Sequence, residues 1–220
     1  MALLHRHRPF VLGDPLSAHT PDAKQYDKAY FDKWYRHPRH RVKSPAELAR
    51  QAAFVLRTAE FVLGRPVRSV LDVGCGEGQW RAALRAHRPA LHYDGVDPSA
   101  YAVQRYGRTR SLLLGGIEDL DALPLRPSYD LVVSCGMLNY LAPDVLMRGV
   151  QQVAHRTGGV AYLELFTSED AFEGDTDWPA PRTARWYRDV MRRAGLCAIG
   201  MQCYVSETAR DRVSALERLP

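Results

Sequence analysis

No run of apolar residues in this 220-residue chain approaches the roughly eighteen needed to cross a bilayer as a helix. The opening MALLHRHRPF sets a His/Arg cluster directly behind a few apolar residues, so neither a signal peptide nor an anchor is expected. The four cysteines (Cys75, Cys135, Cys197, Cys203) are scattered and form no CxxC, which excludes the usual zinc spacings and a disulfide framework. A reducing, cytoplasmic setting is the expectation. Eight histidines show no HExxH, so no metal site is expected. Internal repeats and low-complexity tracts are also missing. What the chain does have is basic charge: +5 overall, with a pI near 9.1. The first fifty residues hold ten Lys/Arg against five Asp/Glu, which invites a nucleic-acid reading. Because arginine greatly outnumbers lysine along the whole chain, codon usage explains that balance as well as a binding face does.

Residues 1–20 mix Pro, Gly, His and Ser without periodicity and read as an irregular arm. From Asp22 to Arg36, Tyr26, Tyr30, Phe31, Trp34 and Tyr35 recur at helical spacing after Thr20-Pro21, and Pro38 ends the run. Ser44-Pro45 with Glu47 opens a second helix, which runs to Gly64. Residues 21–64 are therefore expected to be a helical segment ahead of an α/β domain over 65–220. There, short apolar runs alternate with helical stretches, as in a doubly wound parallel sheet covered on both faces. VRSVLDVG, LHYDGVD, SLLLGG, YDLVVSCG and GGVAYLELF read as strands one to five, with helices between them. LCAIGMQCYV and RVSALERL, separated only by SETARD, have no room for a crossover helix and must pair antiparallel. The expected fold is a Rossmann-like seven-stranded sheet, mostly parallel, with a C-terminal antiparallel hairpin and N-terminal helices before it.

The most informative stretch is Val70-Leu71-Asp72-Val73-Gly74-Cys75-Gly76-Glu77-Gly78, an apolar strand that runs into three alternating glycines and then a helix. Glycine lets the backbone turn sharply and pass close to a ligand without a Cβ in the way. About nineteen residues further on, strand two ends in Asp97, whose carboxylate can accept hydrogen bonds from both hydroxyls of a ribose lying over the loop. A nicotinamide dinucleotide would use the same parts but needs GxGxxG, whereas here the spacing is GxGxG. Asp72 before the loop and Glu77 inside it suit a positively charged ligand better than a pyrophosphate.

LDVGCGEG followed by GVDPS resembles the S-adenosylmethionine (SAM) binding motifs of class I methyltransferases, and YDLVVSCGMLNYL is similar to their fourth strand and the loop beyond it. The resemblance covers roughly residues 67–205. It implies SAM as cofactor and S-adenosylhomocysteine (SAH) as product. It also implies that Gly74, Cys75, Gly76 and Gly78 lie against the methionine part and ribose, with Asp72 beside them. Asp97 and Pro98 would stand at the ribose, Ile117 against the adenine ring, Glu118 or Asp119 near the adenine amino group, and Cys135 and Gly136 beside the methionine end. Tyr30 and Arg41 are candidate partners of the methionine carboxylate. One departure matters: Asn139 stands where many small-molecule members carry histidine, so a histidine base is absent there.

Acceptor groups should come from the loops beyond the strand ends and from whatever covers them. The aromatics of residues 26–35 are candidates for a lid that shields the sulfonium. Glu164, at the end of strand five, is a candidate catalytic group alongside Tyr30 and Asn139. The long acidic loop TSEDAFEGDTDWPAPR after it could enclose a substrate or contact a cationic one. Methyl transfer is an in-line displacement from an activated sulfonium, so positioning can supply most of the acceleration, and no catalytic residue is assigned outright. The leading expectation is transfer to a small-molecule acceptor through O, N or S. The alternatives are an RNA or protein methyltransferase, motivated by the basic N-terminal segment and weakened by the absence after strand four of the NPPY or DPPY typical of base-amino methylation on nucleic acid, and a SAM-binding protein without turnover.

Overall fold

The computed structural model describes residues 25–171 and 181–219. The arm expected over residues 1–20 and the middle of the acidic loop, 172–180, lie outside them. The first helix, α1 (Lys28–Phe31), begins where the Asp27 carboxylate accepts the Tyr30 N–H at 2.9 Å. It starts later than Asp22, the start the sequence suggests, since Gln25 and Tyr26 are not helical and 22–24 are outside the described residues. It continues as one π-helical turn, Asp32–Arg36, and stops at His37, which is extended ahead of Pro38, as the residue before a proline tends to be.

Helix α2 (Pro45–Leu63) follows the sequence signals closely. The Ser44 hydroxyl accepts the Glu47 N–H at 3.2 Å, the Glu47 carboxylate accepts the Ser44 N–H at 2.7 Å, and Gly64 closes the helix at φ +64°. Replacing Ser44 by Ala opens this capping box and should cost about 1 kcal/mol. Urea unfolding of the variant against the wild type reads that loss as a lowered midpoint at unchanged slope.

The remaining elements are β1 (Ser69–Val73), α3 (Gln79–Arg85), β2 (His92–Asp97), α4 (Ala100–Arg110), β3 (Leu112–Leu114), β4 (Tyr129–Cys135), α5 (Pro143–Arg156), β5 (Thr157–Glu164), α6 (Ala184–Arg193), β6 (Leu196–Gly200) and β7 (Cys203–Ser206). The strands form one seven-stranded sheet in the order β3-β2-β1-β4-β5-β7-β6. β1 to β5 run parallel, and β7 lies antiparallel to both β5 and β6. Helices α2 and α3 cover one face, packing Val55, Leu56, Trp80 and Leu84 on Val70 and Val133. Helices α5 and α6 cover the other, packing Leu146, Val150 and Val190 with Leu71 and Val132. Burial on both faces is why these strands read as unbroken apolar runs.

The terminal hairpin forms as expected in kind, but within a shorter stretch. LCAIGMQCYV is two strands, not one, because Gly200, Met201 and Gln202 all take positive φ and turn the chain back on itself. Left-handed conformations at Met and Gln carry no sequence signature, unlike Asn-Gly. RVSALERL is accordingly no strand; only Leu219 bridges to Ala198. Among the described residues, no helix is long and apolar enough to cross a membrane.

Strand β1 pairs with β2 on one side and β4 on the other, so the chain reverses its direction of winding between β1 and β4. The crevice beyond the carboxyl ends of these strands is where open α/β sheets bind ligands.

Candidate functional site

The loop leaving β1 lies at that crevice. Gly74, Gly76 and Gly78 have φ of +73°, +53° and +71°, a conformation that L side chains rarely adopt. A Cβ on Gly74 would sit 2.6 Å from the Met137 side chain, and one on Gly76 would run into the Tyr35 hydroxyl. At both points the loop backbone is closely approached by a side chain that also lines the first cavity described below. Gly78 differs: it starts α3 and packs towards Leu112, lining neither cavity described below.

Asp97, at the end of β2, is buried and shaped by this loop. Its Oδ2 accepts the Gly76 N–H at 2.6 Å and its Oδ1 the Ser99 N–H at 2.9 Å. Burial raises its pKa above the ordinary carboxylate range, while the two backbone N–H groups pull it back down. Asp72, at the end of β1, is fully buried and accepts the Tyr93 hydroxyl at 2.5 Å. Burial pushes its pKa up to about 7, with Tyr93 opposing and the neighbouring Asp97 charge adding to the rise.

Two cavities open over the loop. The first, about 190 Å³, runs from Gly74 and Gly76 over Asp97 and Pro98 to Gly116, Ile117 and Glu118. The second, about 280 Å³, runs from Asp72 and Cys75 across the strand ends to Glu164 on β5. Tyr30, Tyr35, Gly74, Cys135, Gly136 and Tyr140 line both and so mark their junction.

Of the residues singled out in the sequence, the structure thus brings most to these cavities. Ile117 is buried with its side chain against Gly149, and Glu118 is exposed at the rim. Asp119 instead uses its carboxylate on the Gly116 N–H, at 2.8 Å. Glu77 does not face a ligand either: it is buried and paired with Arg36 of the N-terminal segment. Arg41 is exposed and lines neither cavity. Asn139 is buried away from both, where its amide donates to the Phe166 carbonyl at 2.6 Å and its Oδ1 accepts the Phe166 N–H at 3.1 Å. It clamps the chain leaving β5. The short 3-10 turn Leu138–Tyr140 turns Asn139 inward and leaves Tyr140, one residue on, at the junction.

Sequence reasoning passed over Lys43, Gln51 and Tyr140. Lys43 precedes the Ser44 cap, and its ammonium is paired with Glu164 and donates to Gln51 Oε1 at 2.7 Å. No spacing rule joins a loop lysine to a carboxylate 121 positions away. Among the described residues, no group of three or more His, Cys, Asp or Glu is placed to hold a metal.

Residues 71–160 match the family model described as "Methyltransferase domain". That stretch of the chain is similar to a methyltransferase domain. The match runs from within β1 to within β5 and takes in the glycine loop, Asp97 and Ile117, but not Glu164 or the N-terminal residues that line the cavities. No curated protein matches the chain in sequence. Solved structures share the methyltransferase fold. A SAM-dependent methyltransferase from Archaeoglobus fulgidus is 16% identical, with 76% of this chain and 73% of that one covered and a TM-score of 0.59. The sugar N-methyltransferase KedS8 from Streptoalloteichus is 19% identical, with 93% and 99% covered and a TM-score of 0.57. The plantazolicin methyltransferase BamL, solved with a desmethyl substrate analogue and SAH, is 17% identical, with 78% and 76% covered and a TM-score of 0.59. The similarity to KedS8 takes in nearly the full chain.

Proposed function

We propose that this protein transfers a methyl group from SAM to a small-molecule acceptor. The observation that carries the reading is the pair of cavities meeting over the glycine loop, one running over Asp97 to Ile117 and Glu118 and the other reaching across β4 to β5. The residues present suit SAM. Gly74 and Gly76 bring loop backbone to the wall of the first cavity, both Asp97 oxygens sit beside it, and Ile117 offers an apolar wall with Glu118 at the rim. When bound, SAM supplies a sulfonium methyl that a nucleophile displaces in line. The protein's task is then to orient and to exclude water. Tyr30, Tyr35 and Tyr140 at the junction do both, as flat walls between the two spaces.

Residues 26–36 act as the lid. Tyr26, Tyr30, Phe31 and Tyr35 pack edge to face along the first cavity, with ring centroids 4.9–5.4 Å apart. The segment is fastened at both ends: the Ser99 hydroxyl donates to the Tyr26 carbonyl at 2.6 Å, and Arg36 pairs with Glu77. An acceptor that is a carboxylate, thiolate or neutral amine needs no base to start, in keeping with an Asn139 consumed by Phe166.

Isothermal titration of the wild type with SAH, SAM and NAD tests the cofactor half of the reading, with micromolar binding of the first two expected and none of the third. A panel of small acceptors with SAH formation as the readout tests the other half. A protein that binds neither SAM nor SAH contradicts the proposal.

A further inference from the structure

The second cavity holds a built anion anchor at its β5 end. Lys43 is half-buried there, its ammonium fixed by Glu164 on one side and by Gln51 Oε1 on the other. Gln51 is itself fixed, donating to Glu164 Oε1 at 3.0 Å and to the Tyr162 hydroxyl at 2.6 Å. Both oxygens of Glu164 are thereby filled, one by Lys43 and one by Gln51. Lys43 is not filled. An ammonium has three N–H donors, and two are spent among the described residues. The third belongs to a group that lines open volume and is held rigidly enough to select what it meets.

On its α1–α2 side the approach to this cavity carries the same sign, while on the β5 side Glu169 and Asp170, between the lining residues Phe166 and Ala171, have their carboxylates engaged by the Ala184 N–H and by Thr167. The exposed connection between α1 and α2 contains His37, Arg39, His40 and Arg41, with no acidic residue between Asp32 and Glu47. Its Val42 lines the cavity, with its N–H bonded to the Trp34 carbonyl at 3.0 Å, and the His40 ring stands edge-on to Trp34. Such a rim raises the local concentration of anions. A cationic acceptor would have to expel Lys43 from Glu164 before gaining anything.

We propose that the acceptor is a small planar carboxylic acid, with Lys43 binding its carboxylate and Glu164 and Gln51 acting as positioning residues. The inference rests on the methyl-transfer reading of the same site. It adds that the anchored carboxylate is not the methylated atom. Glu164 ends β5, and β5 stands two strands from β1, roughly 10 Å across the sheet. The reacting atom therefore lies at the other end of the acceptor, at the tyrosine junction, with Trp34, Trp80 and Phe166 flanking the body between.

Three probes of one shape and different charge test this: benzoate, benzamide and benzylammonium, titrated into the SAH-saturated protein and into the free protein. Benzoate is expected to bind saturably in the millimolar range, at least fivefold tighter than either of the others. Lys43→Gln should abolish that preference while SAH affinity stays within twofold. Glu164→Gln, which keeps the ammonium, should keep the benzoate preference, and it serves as the second variant if Lys43→Gln fails to fold. A preference for benzylammonium, equal binding of all three, no binding of any, or a benzoate affinity indifferent to Lys43→Gln overturns the proposal. So does a Lys43→Gln that weakens SAH instead, since the lysine would then serve the cofactor. The titrations of free protein read the anchor even where SAH does not bind, so failure of the methyl-transfer reading and failure of the anchor are separate results.

Discussion

Asp97→Ala is expected to lower SAH affinity at least tenfold, about 1.4 kcal/mol, and closer to a hundredfold, about 2.7 kcal/mol. Two effects add. The carboxylate lines the first cavity beside the loop, where it would accept from the hydroxyls of a ribose, and hydrogen bonds to a charged group contribute roughly 1.5–3 kcal/mol each. It also organises the loop, because its oxygens take the buried N–H groups of Gly76 and Ser99. Alanine leaves both without a partner and frees the loop from the pre-formed cradle. Asp97→Asn separates the two contributions: one amide oxygen still accepts, so its loss should fall between wild type and alanine. The pH dependence follows from the same group. Since burial raises the Asp97 pKa and the ionised form is the better ribose acceptor, SAH binding should strengthen as pH rises through that raised value. Titration calorimetry between pH 5 and 8 on wild type and Asp97→Ala checks both statements. A flat profile shared by the two proteins, or an alanine variant within twofold of wild type, would remove Asp97 from the cofactor site.

The elements legible in the sequence were those whose cause is local. Ser44-Pro45-Ala46-Glu47 specifies a helix start by hydrogen bonds within four residues, and α2 begins there. The strands β1 to β5 could be read because both faces of the sheet are covered, so their apolar runs are continuous. The glycine loop was legible because positive φ at Gly74, Gly76 and Gly78 dictates residue type at fixed spacing, and Asp97 because it closes the apolar run of the next strand. What escaped was set by contacts distant in sequence or by a choice of backbone conformation. Glu77 reads as an acid inside a ligand loop, yet Arg36, 41 positions earlier, claims it. Asn139 reads as the stand-in for a base, yet Phe166 takes both ends of its amide. The turn at Met201 and Gln202 rests on positive φ at residues that do not advertise it, which is why the hairpin was placed over too long a stretch. Lys43 belongs to the same class, since its pairing exists only once α2 is laid across the end of β5.

Asp72→Asn should stabilise the protein above neutral pH and weaken SAM binding at the same time. Asp72 is fully buried, and its pKa in the folded protein is about 7, against 3.8 for the free side chain. The folded state therefore holds a proton that the unfolded chain has already lost between those values. The stability this contributes is complete below pH about 4 and disappears as pH rises through 7, a span of about 3 pH units or about 4 kcal/mol. Asparagine removes the titration. Its amide oxygen can still accept the Tyr93 hydroxyl, and its NH2 group faces the second cavity, which Asp72 lines. We expect the variant to gain about 2 kcal/mol at pH 8, after the cost of burying an amide, and to gain nothing or lose stability at pH 5. Urea unfolding at the two pH values measures the crossover. A protein under no functional demand would have no reason to carry a carboxylate whose ionisation opposes folding, so the compensating loss is the informative half. SAM brings an ammonium and a sulfonium to this crevice, and a bound cation favours the ionised form of Asp72 and lowers its pKa. Ligand binding should then release more protons between pH 6 and 8 in the wild type than in Asp72→Asn, where only the Asp97 coupling is left, read by calorimetry in buffers of different ionisation enthalpy. A variant stabilised at pH 8 that binds SAM with wild-type affinity and unchanged proton release would leave Asp72 as a strained core residue with no part in the site.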